Sequence, residues 1–136
     1  MNASITLAVT EGAFRGKEYH FDSPTCCVVG RAEDCAIQLP GVFGHADVSR
    51  HHCVLDIDPP TIRVRDLGSR NGTFVNGAII GQRSQHLLSE EMPDDVLEER
   101  ELKEGDELQV GSTVFQIGIV TTSHPNDRAV MSQDNR

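Results

Sequence analysis

The sequence lacks any apolar run approaching the ~18 residues that cross a bilayer, so no membrane helix is expected. Residues 1–14 lack a basic segment followed by an apolar block, so no secretory signal is expected and the cytoplasm is the expected compartment. Positive charge is scarce, with 12 Lys and Arg against 21 Asp and Glu and a net charge of −9. General nucleic-acid binding wants a net positive face, so that class is set aside. A single phosphoryl group needs only two or three local cations, and remains open. The cysteines Cys26, Cys27, Cys35 and Cys53 form no C-x-x-C pair, and two are adjacent, which suits neither a disulfide framework nor a zinc ribbon. They read as buried free thiols of a reducing compartment. No G-x-S-x-G or H-E-x-x-H occurs. The acids of 90–107 run contiguously, as a solvated stretch does. Gly12 to Lys17 imitates a nucleotide-binding loop but is one residue short between its glycines and has no Ser or Thr after the lysine. No enzyme and no cofactor are expected.

The chain does hold short strands and turns in quantity. Its 136 residues give room for one domain. Strand patterns cover 5–10, 17–21, 26–30, 36–39, 52–57, 61–66, 73–75, 107–110 and 113–120. Thr61-Ile62-Arg63-Val64-Arg65 alternates as a half-buried strand does. Gly12, Gly16, Pro24, Gly41, Pro59-Pro60, Asn71-Gly72, Asn76-Gly77 and Gly105-Asp106 punctuate the runs. Many short strands at regular spacing predict an all-β sandwich or barrel. Residues 81–99 are acidic with little strand character and read as a long inserted loop. Residues 121–136 are polar and unpatterned, so a domain over 1–120 with a disordered tail or linker is expected.

Three motifs follow in order. Gly30-Arg31 ends a strand, and Ser49-Arg50-His51-His52 precedes another. Asp66-Leu67-Gly68-Ser69-Arg70-Asn71-Gly72-Thr73-Phe74-Val75-Asn76-Gly77 makes a turn, a very short strand and a second turn. Together, and with Leu102 to Asp106 as a late turn, they resemble the forkhead-associated (FHA) domain family over roughly residues 5 to 120. The resemblance implies a β-sandwich of two mainly antiparallel twisted sheets, with ligand-binding loops at one end. It also implies binding of phosphothreonine peptides in Ser/Thr kinase signalling.

The resemblance gives Arg31 to the phosphate, a role that suits a permanently charged fork of N–H donors. By itself Arg31 reads rather as a solvated loop arginine. Ser49 is placed on the phosphate as a small hydroxyl donor, although such a serine also caps turns. Arg50 supplies a second cation, and Arg70 adds a third beside it. Asn71 grips the main chain of the peptide next to the phosphothreonine, and Asn71-Gly72 is expected as a tight turn because both residues tolerate positive φ. Asn76-Gly77 reads as a second hairpin turn, with Asn76 near the peptide by resemblance. Gly30, Thr73, Gly72 and His52 support the site. His52 invites a metal reading beside His51, Cys53, His45 and Asp47, but strand neighbours point to opposite faces, and no metal site is expected.

The expected function is therefore recognition of phosphothreonine segments. The alternative is a β-sandwich assembly domain that no longer depends on phosphate. If the acids of 81–99 lie near the site, targets are expected to carry Lys or Arg beyond the phosphothreonine. Oligomeric state and cognate kinase are not readable.

Overall fold

The computed structural model describes residues 2–83 and 99–122. Eleven strands follow in order: β1 (Asn2–Glu11), β2 (Glu18–Phe21), β3 (Thr25–Gly30), β4 (Ile37–Gln38), β5 (Cys53–Asp58), β6 (Thr61–Asp66), β7 (Thr73–Val75), β8 (Ala78–Gly81), β9 (Glu99–Leu102), β10 (Glu107–Val110) and β11 (Thr113–Thr122). One 3-10 turn, Gly41–Phe43, interrupts the β4–β5 connection.

The strands make two sheets, of order β2-β1-β11-β10-β7-β8 and β4-β3-β5-β6-β9. All pairings are antiparallel except that of the two-residue β4 with β3. The expected all-β sandwich is thus what the chain forms. Alternation builds it. Along β6, Ile62 and Val64 are fully buried while Arg65 is exposed, and along β5, Leu55 and Ile57 are buried while Asp56 is exposed. Ile5, Leu7, Val29, Leu108, Phe115 and Ile117 complete the shared core. Each such side chain contributes roughly 1.5–3 kcal/mol by leaving water. The long β1–β11 pairing runs from Asn2 opposite Thr122 to Glu11 opposite Val114 and ties the two ends of the described chain together.

Two strands were not anticipated. Ala78–Gly81 is too short to show a period, yet β8 pairs with β7 across the Asn76-Gly77 turn. Glu99–Leu102 holds one apolar residue in a charged run. It pairs as an edge strand with β6, where Glu101 stands opposite Arg63 and Glu99 opposite Arg65. Opposite charges in register suit an exposed edge. The expected 81–99 loop therefore has strands at both limits, and its centre, 84–98, lies outside the described residues, as does 123–136. Cys27, Cys35 and Cys53 are buried as expected, but Cys26 is exposed because it takes the opposite face of β3 from Cys27.

Register decides where the loops meet. Val29 faces Cys53, and Cys53 faces Asp66, so the end of β3, the start of β5 and the end of β6 share one edge of the second sheet. In the first sheet, Thr73 faces both Val110 and Gly81. The connections 31–36, 39–52 and 67–72 consequently gather at one end of the sandwich.

Candidate functional site

Gly30 is required by the closeness of two backbones. A Cβ at this position would lie 2.2 Å from the Arg50 carbonyl oxygen. That approach lets the Arg31 amide donate to the Ser49 carbonyl at 3.0 Å and the Ala32 amide to the Arg50 carbonyl at 3.1 Å. Arg31 is itself steered by its Nε, which donates to the Val48 carbonyl at 2.9 Å. Its Cδ lies 3.0 Å from where a Cβ on Gly41 would stand, so the arginine runs beneath that turn. Among the described residues, its terminal guanidinium nitrogens take no acceptor.

His52 latches two loops together. It is fully buried, its Nδ1 accepts from the Ser49 amide at 3.0 Å, and its Nε2 donates to the Gly72 carbonyl at 2.8 Å. Those partners require the neutral imidazole with its proton on Nε2. Burial above all holds its pKa below the ordinary histidine range. With both nitrogens committed, His52 has no lone pair for a metal. Ser49 then presents its Oγ, which accepts from the Arg70 amide at 2.9 Å. The hydroxyl proton has no acceptor among the described residues.

A second latch lies beneath Asn71. Asp66 is buried at the end of β6, and its Oδ2 accepts from the amides of Gly68 at 2.8 Å and Ser69 at 2.9 Å. Its Oδ1 accepts from the Ser69 hydroxyl and from Thr73 Oγ1, the latter at 2.6 Å. Ser69 Oγ in turn accepts from the Gly72 amide at 3.0 Å. The chain is thereby bent so that Asn71 stands at the rim, where its Nδ2 donates to the Asp47 carbonyl at 2.8 Å. Within the Asn71-Gly72 pair Gly72 takes a positive φ, 94°, whereas Asn71 does not, in contrast to the expectation for both. The hydrogen bonds to Asp66 and Ser69, with positive φ at Gly68 and Gly72, shape the bend without a left-handed Asn71.

Arg31, Ser49, Arg50, Arg70 and Asn71 come together around one cavity of about 390 Å³, whose wall also includes Asp47, His51 and Arg83. Gly30, His52, Gly72 and Thr73 lie behind that wall. Asn76 is not brought to it. Its φ is 52°, its Nδ2 donates to Asp106 Oδ1 at 3.0 Å, and its Oδ1 accepts from the Glu107 amide at 2.9 Å. Three side chains of metal-ligand type, Asp34, Cys35 and His51, lie within 4.8 Å of one another beside the cavity. His51 Nε2 is 3.0 Å from Asp34, and the Cys35 thiol, its pKa raised chiefly by burial, donates to the Arg50 carbonyl at 3.2 Å.

Sequence reasoning missed Arg83, which has no motif around it. It also gave no role to Asp66 and Ser69. An Asp at a strand end, two and three residues ahead of Gly68 and Ser69, is the pattern of a carboxylate capping its own turn.

The FHA domain family model matches residues 27–111, and the chain belongs to that family. It is 41% identical over 63 residues to the ABC transporter ATP-binding/permease protein Rv1747 of Mycobacterium tuberculosis. That match takes in 46% of this chain and 7% of the transporter protein's length. Among solved structures, the chain is similar to the FHA domain of FhaA complexed with the intracellular domain of Rv3910. Identity there is 26% and the TM-score 0.59, covering 83% of this chain and 98% of the other. It is equally similar, at 26% identity and a TM-score of 0.61, to a structure from an analysis of phosphothreonine-dependent FHA domain interactions. That match covers 90% of this chain and 98% of the other.

Proposed function

We infer that this chain is a phosphothreonine-reading module of Ser/Thr kinase signalling. The observation that carries the reading is the convergence of Arg31, the Ser49 hydroxyl and Arg50 on one cavity, held by the His52 latch. A phosphoryl dianion offers three strong acceptor oxygens, and two guanidinium forks with a hydroxyl offer donors to match. Charge-assisted bonds of this kind contribute roughly 1.5–3 kcal/mol each, before the cost of ordering the peptide. Asn71, fixed through one amide hydrogen to Asp47, keeps its side-chain oxygen for a peptide amide. That arrangement makes recognition depend on an extended main chain as well as on the phosphate. Gly30, His52, Gly72 and Thr73 hold the loops, and Asn76 holds the far turn.

The reading assigns no catalytic group. Both His52 nitrogens are spent, burial raises the pKa of Cys27, Cys35 and Cys53, and neither property suits a base or a thiolate nucleophile. We place the module in the cytoplasm, where kinases and free thiols coexist. No helix of the described residues is long and apolar enough to cross a membrane. The domain is taken to run through Thr122, because Thr121 and Thr122 of the expected 121–136 tail belong to β11.

Titration of ¹⁵N-labelled protein with a pool of phosphothreonine peptides tests the reading, with phosphoserine and unphosphorylated pools as controls. Amide shifts confined to the loops of Arg31, Ser49, Arg50 and Asn71, strongest with phosphothreonine, are expected. No shift with any pool would favour an assembly domain independent of phosphate.

A further inference from the structure

Resting on the phosphothreonine reading, we propose that Arg70 and Arg83 form a second anion subsite, which takes a carboxylate or a second phosphoryl group on the same peptide. Arg31, Arg50, Arg70 and Arg83 line one cavity in a chain of net charge −9 with only 12 basic residues. Among the described residues the ion pairs are His20 with Glu18 and His51 with Asp34, so none of these four guanidiniums has a carboxylate of the described residues within 4.0 Å. One phosphoryl group, of charge about −1.5 to −2, is matched by two of them. The phosphothreonine reading gives Arg31 and Arg50 to that group, which leaves Arg70 and Arg83 over.

The remaining pair is built into the wall. The Arg70 amide donates to Ser49 Oγ at 2.9 Å, and its carbonyl accepts from Gln82 Nε2 at 2.9 Å. The Arg83 amide donates to the Ser69 carbonyl at 2.7 Å. Both arginines therefore spring from one hydrogen-bonded unit with the phosphate-facing serine. The acid in this wall, Asp47, has its carboxylate packed against Gly111, 2.8 Å from where a Cβ would lie. The opposite flank differs in sign. The hollow on the other side of Arg31 and Arg50 is lined by Glu33 and Asp34. A peptide crossing the phosphate site thus meets cations on one side and carboxylates on the other, and an acidic residue is favoured on one side of the phosphothreonine only.

The test is a calorimetric titration of the whole chain with host peptides of Ala, Ser and Gly around one phosphothreonine. Glu, phosphoserine or Lys is placed in turn at each neighbouring position. On one side, Glu or phosphoserine should tighten binding about fivefold over the neutral host, near 1 kcal/mol. On the other side it should give no gain. The gain should vanish in Arg83→Gln and survive in Arg63→Gln, which removes the same charge from β6. A gain with phosphoserine alone assigns the subsite to phosphate, and a gain with both assigns it to anions generally. Equal affinity for acidic and neutral peptides overturns the subsite while leaving the phosphothreonine reading intact. Tighter binding of Lys-bearing peptides on both sides, which would include the preference beyond the phosphothreonine expected from the acids of 81–99, also overturns it. Failure of every phosphothreonine peptide to bind overturns the reading and the subsite together.

Discussion

Asn71-Gly72 and Asn76-Gly77 are the same dipeptide five positions apart, and the three-residue β7 between them sends them to opposite ends of the sandwich. At the far end, Asn76 and Gly77 both take positive φ, 52° and 85°, and make a true hairpin turn into β8. The Asn76 side chain is fully used there, between Asp106 and Glu107. At the cavity end, the turn is bent by a buried carboxylate, and Asn71 keeps one polar atom uncommitted. The difference teaches that an asparagine keeps a polar atom free for a ligand where other groups have already done its structural work. Asp66 frees Asn71, whereas nothing frees Asn76.

The largest expected effect separates the two carboxylates behind these turns. Asp66 is buried and accepts from two amides and two hydroxyls, while Asp106 is partly exposed and accepts from Asn76 and the Lys103 amide. Asp66→Ala leaves several buried donors unpaired and should cost about 3 kcal/mol or more, with phosphopeptide binding lost. Asp106→Ala should cost about 1 kcal/mol, since water replaces its bonds, with affinity kept. Urea denaturation beside peptide titration reads both. Equal losses of stability would break the comparison.

Next come the asparagines themselves. Asn71→Ala should lower phosphopeptide affinity about tenfold by removing the peptide main-chain contact, with a small change in stability. Asn76→Ala should do the reverse, costing about 1 kcal/mol in urea through strain in a left-handed turn and two lost bonds, with affinity within about twofold. A tenfold affinity loss in Asn76→Ala would return that residue to the site.

Acidification sharpens the same contrast. The folded protein holds the His52 pKa below its ordinary value near 6.5, chiefly by burial, so the unfolded chain binds this proton more readily. The contribution is complete above about pH 6.5 and is lost as pH falls from there toward the lower folded value. Protonation at Nδ1 would also set a donor against the Ser49 amide and open the cavity end first. The protection factors of the Ser49 and Gly72 amides, each taken against the intrinsic exchange rate at the same pH, should therefore fall below about pH 6.5 while those of Asn76 and Glu107 do not. Binding falls in the same range for a second reason, the phosphate's own pKa near 6. Exchange without peptide isolates the protein's share.

Much of this was legible in the sequence because the site is written in short, ordered motifs. Gly30, Arg31, Ser49, Arg50, His52, Asn71 and Gly72 sit at the ends of strands whose alternation is plain or in the connections beside them, and register then gathers them. What escaped lacked a local signal. β8 is four residues ending in glycine, and β9 is a charged strand stabilised by the pairing it makes with Arg63 and Arg65 rather than by its own pattern. Arg83 reaches the cavity only because β8 folds back along β7 and delivers it to Ser69. The exposure of Cys26 turns on a one-residue choice of face, which the adjacent cysteines leave undecided. Asn76 stands at the far turn and away from the cavity, a placement that a dipeptide alone does not encode.

The smallest expected effect concerns the ligand's methyl group. Ala46, Val48 and Leu67 are the apolar members of the cavity wall, so the γ-methyl of a phosphothreonine has few surfaces to meet there. Burying one methyl contributes about 0.8 kcal/mol, so phosphothreonine should bind roughly fourfold tighter than phosphoserine in a matched peptide. Val48 is 1% exposed and belongs to the core, whereas Leu67 is 38% exposed on the rim. Leu67→Ser should therefore leave the preference standing if Val48 meets the methyl, and abolish it if the rim does. Because both peptides carry the same phosphate, their affinities should fall in parallel as salt shortens the screening length. A preference that changes with salt would mean that the two phosphates sit differently among the four arginines, and that the methyl acts by steering the phosphate rather than by being buried.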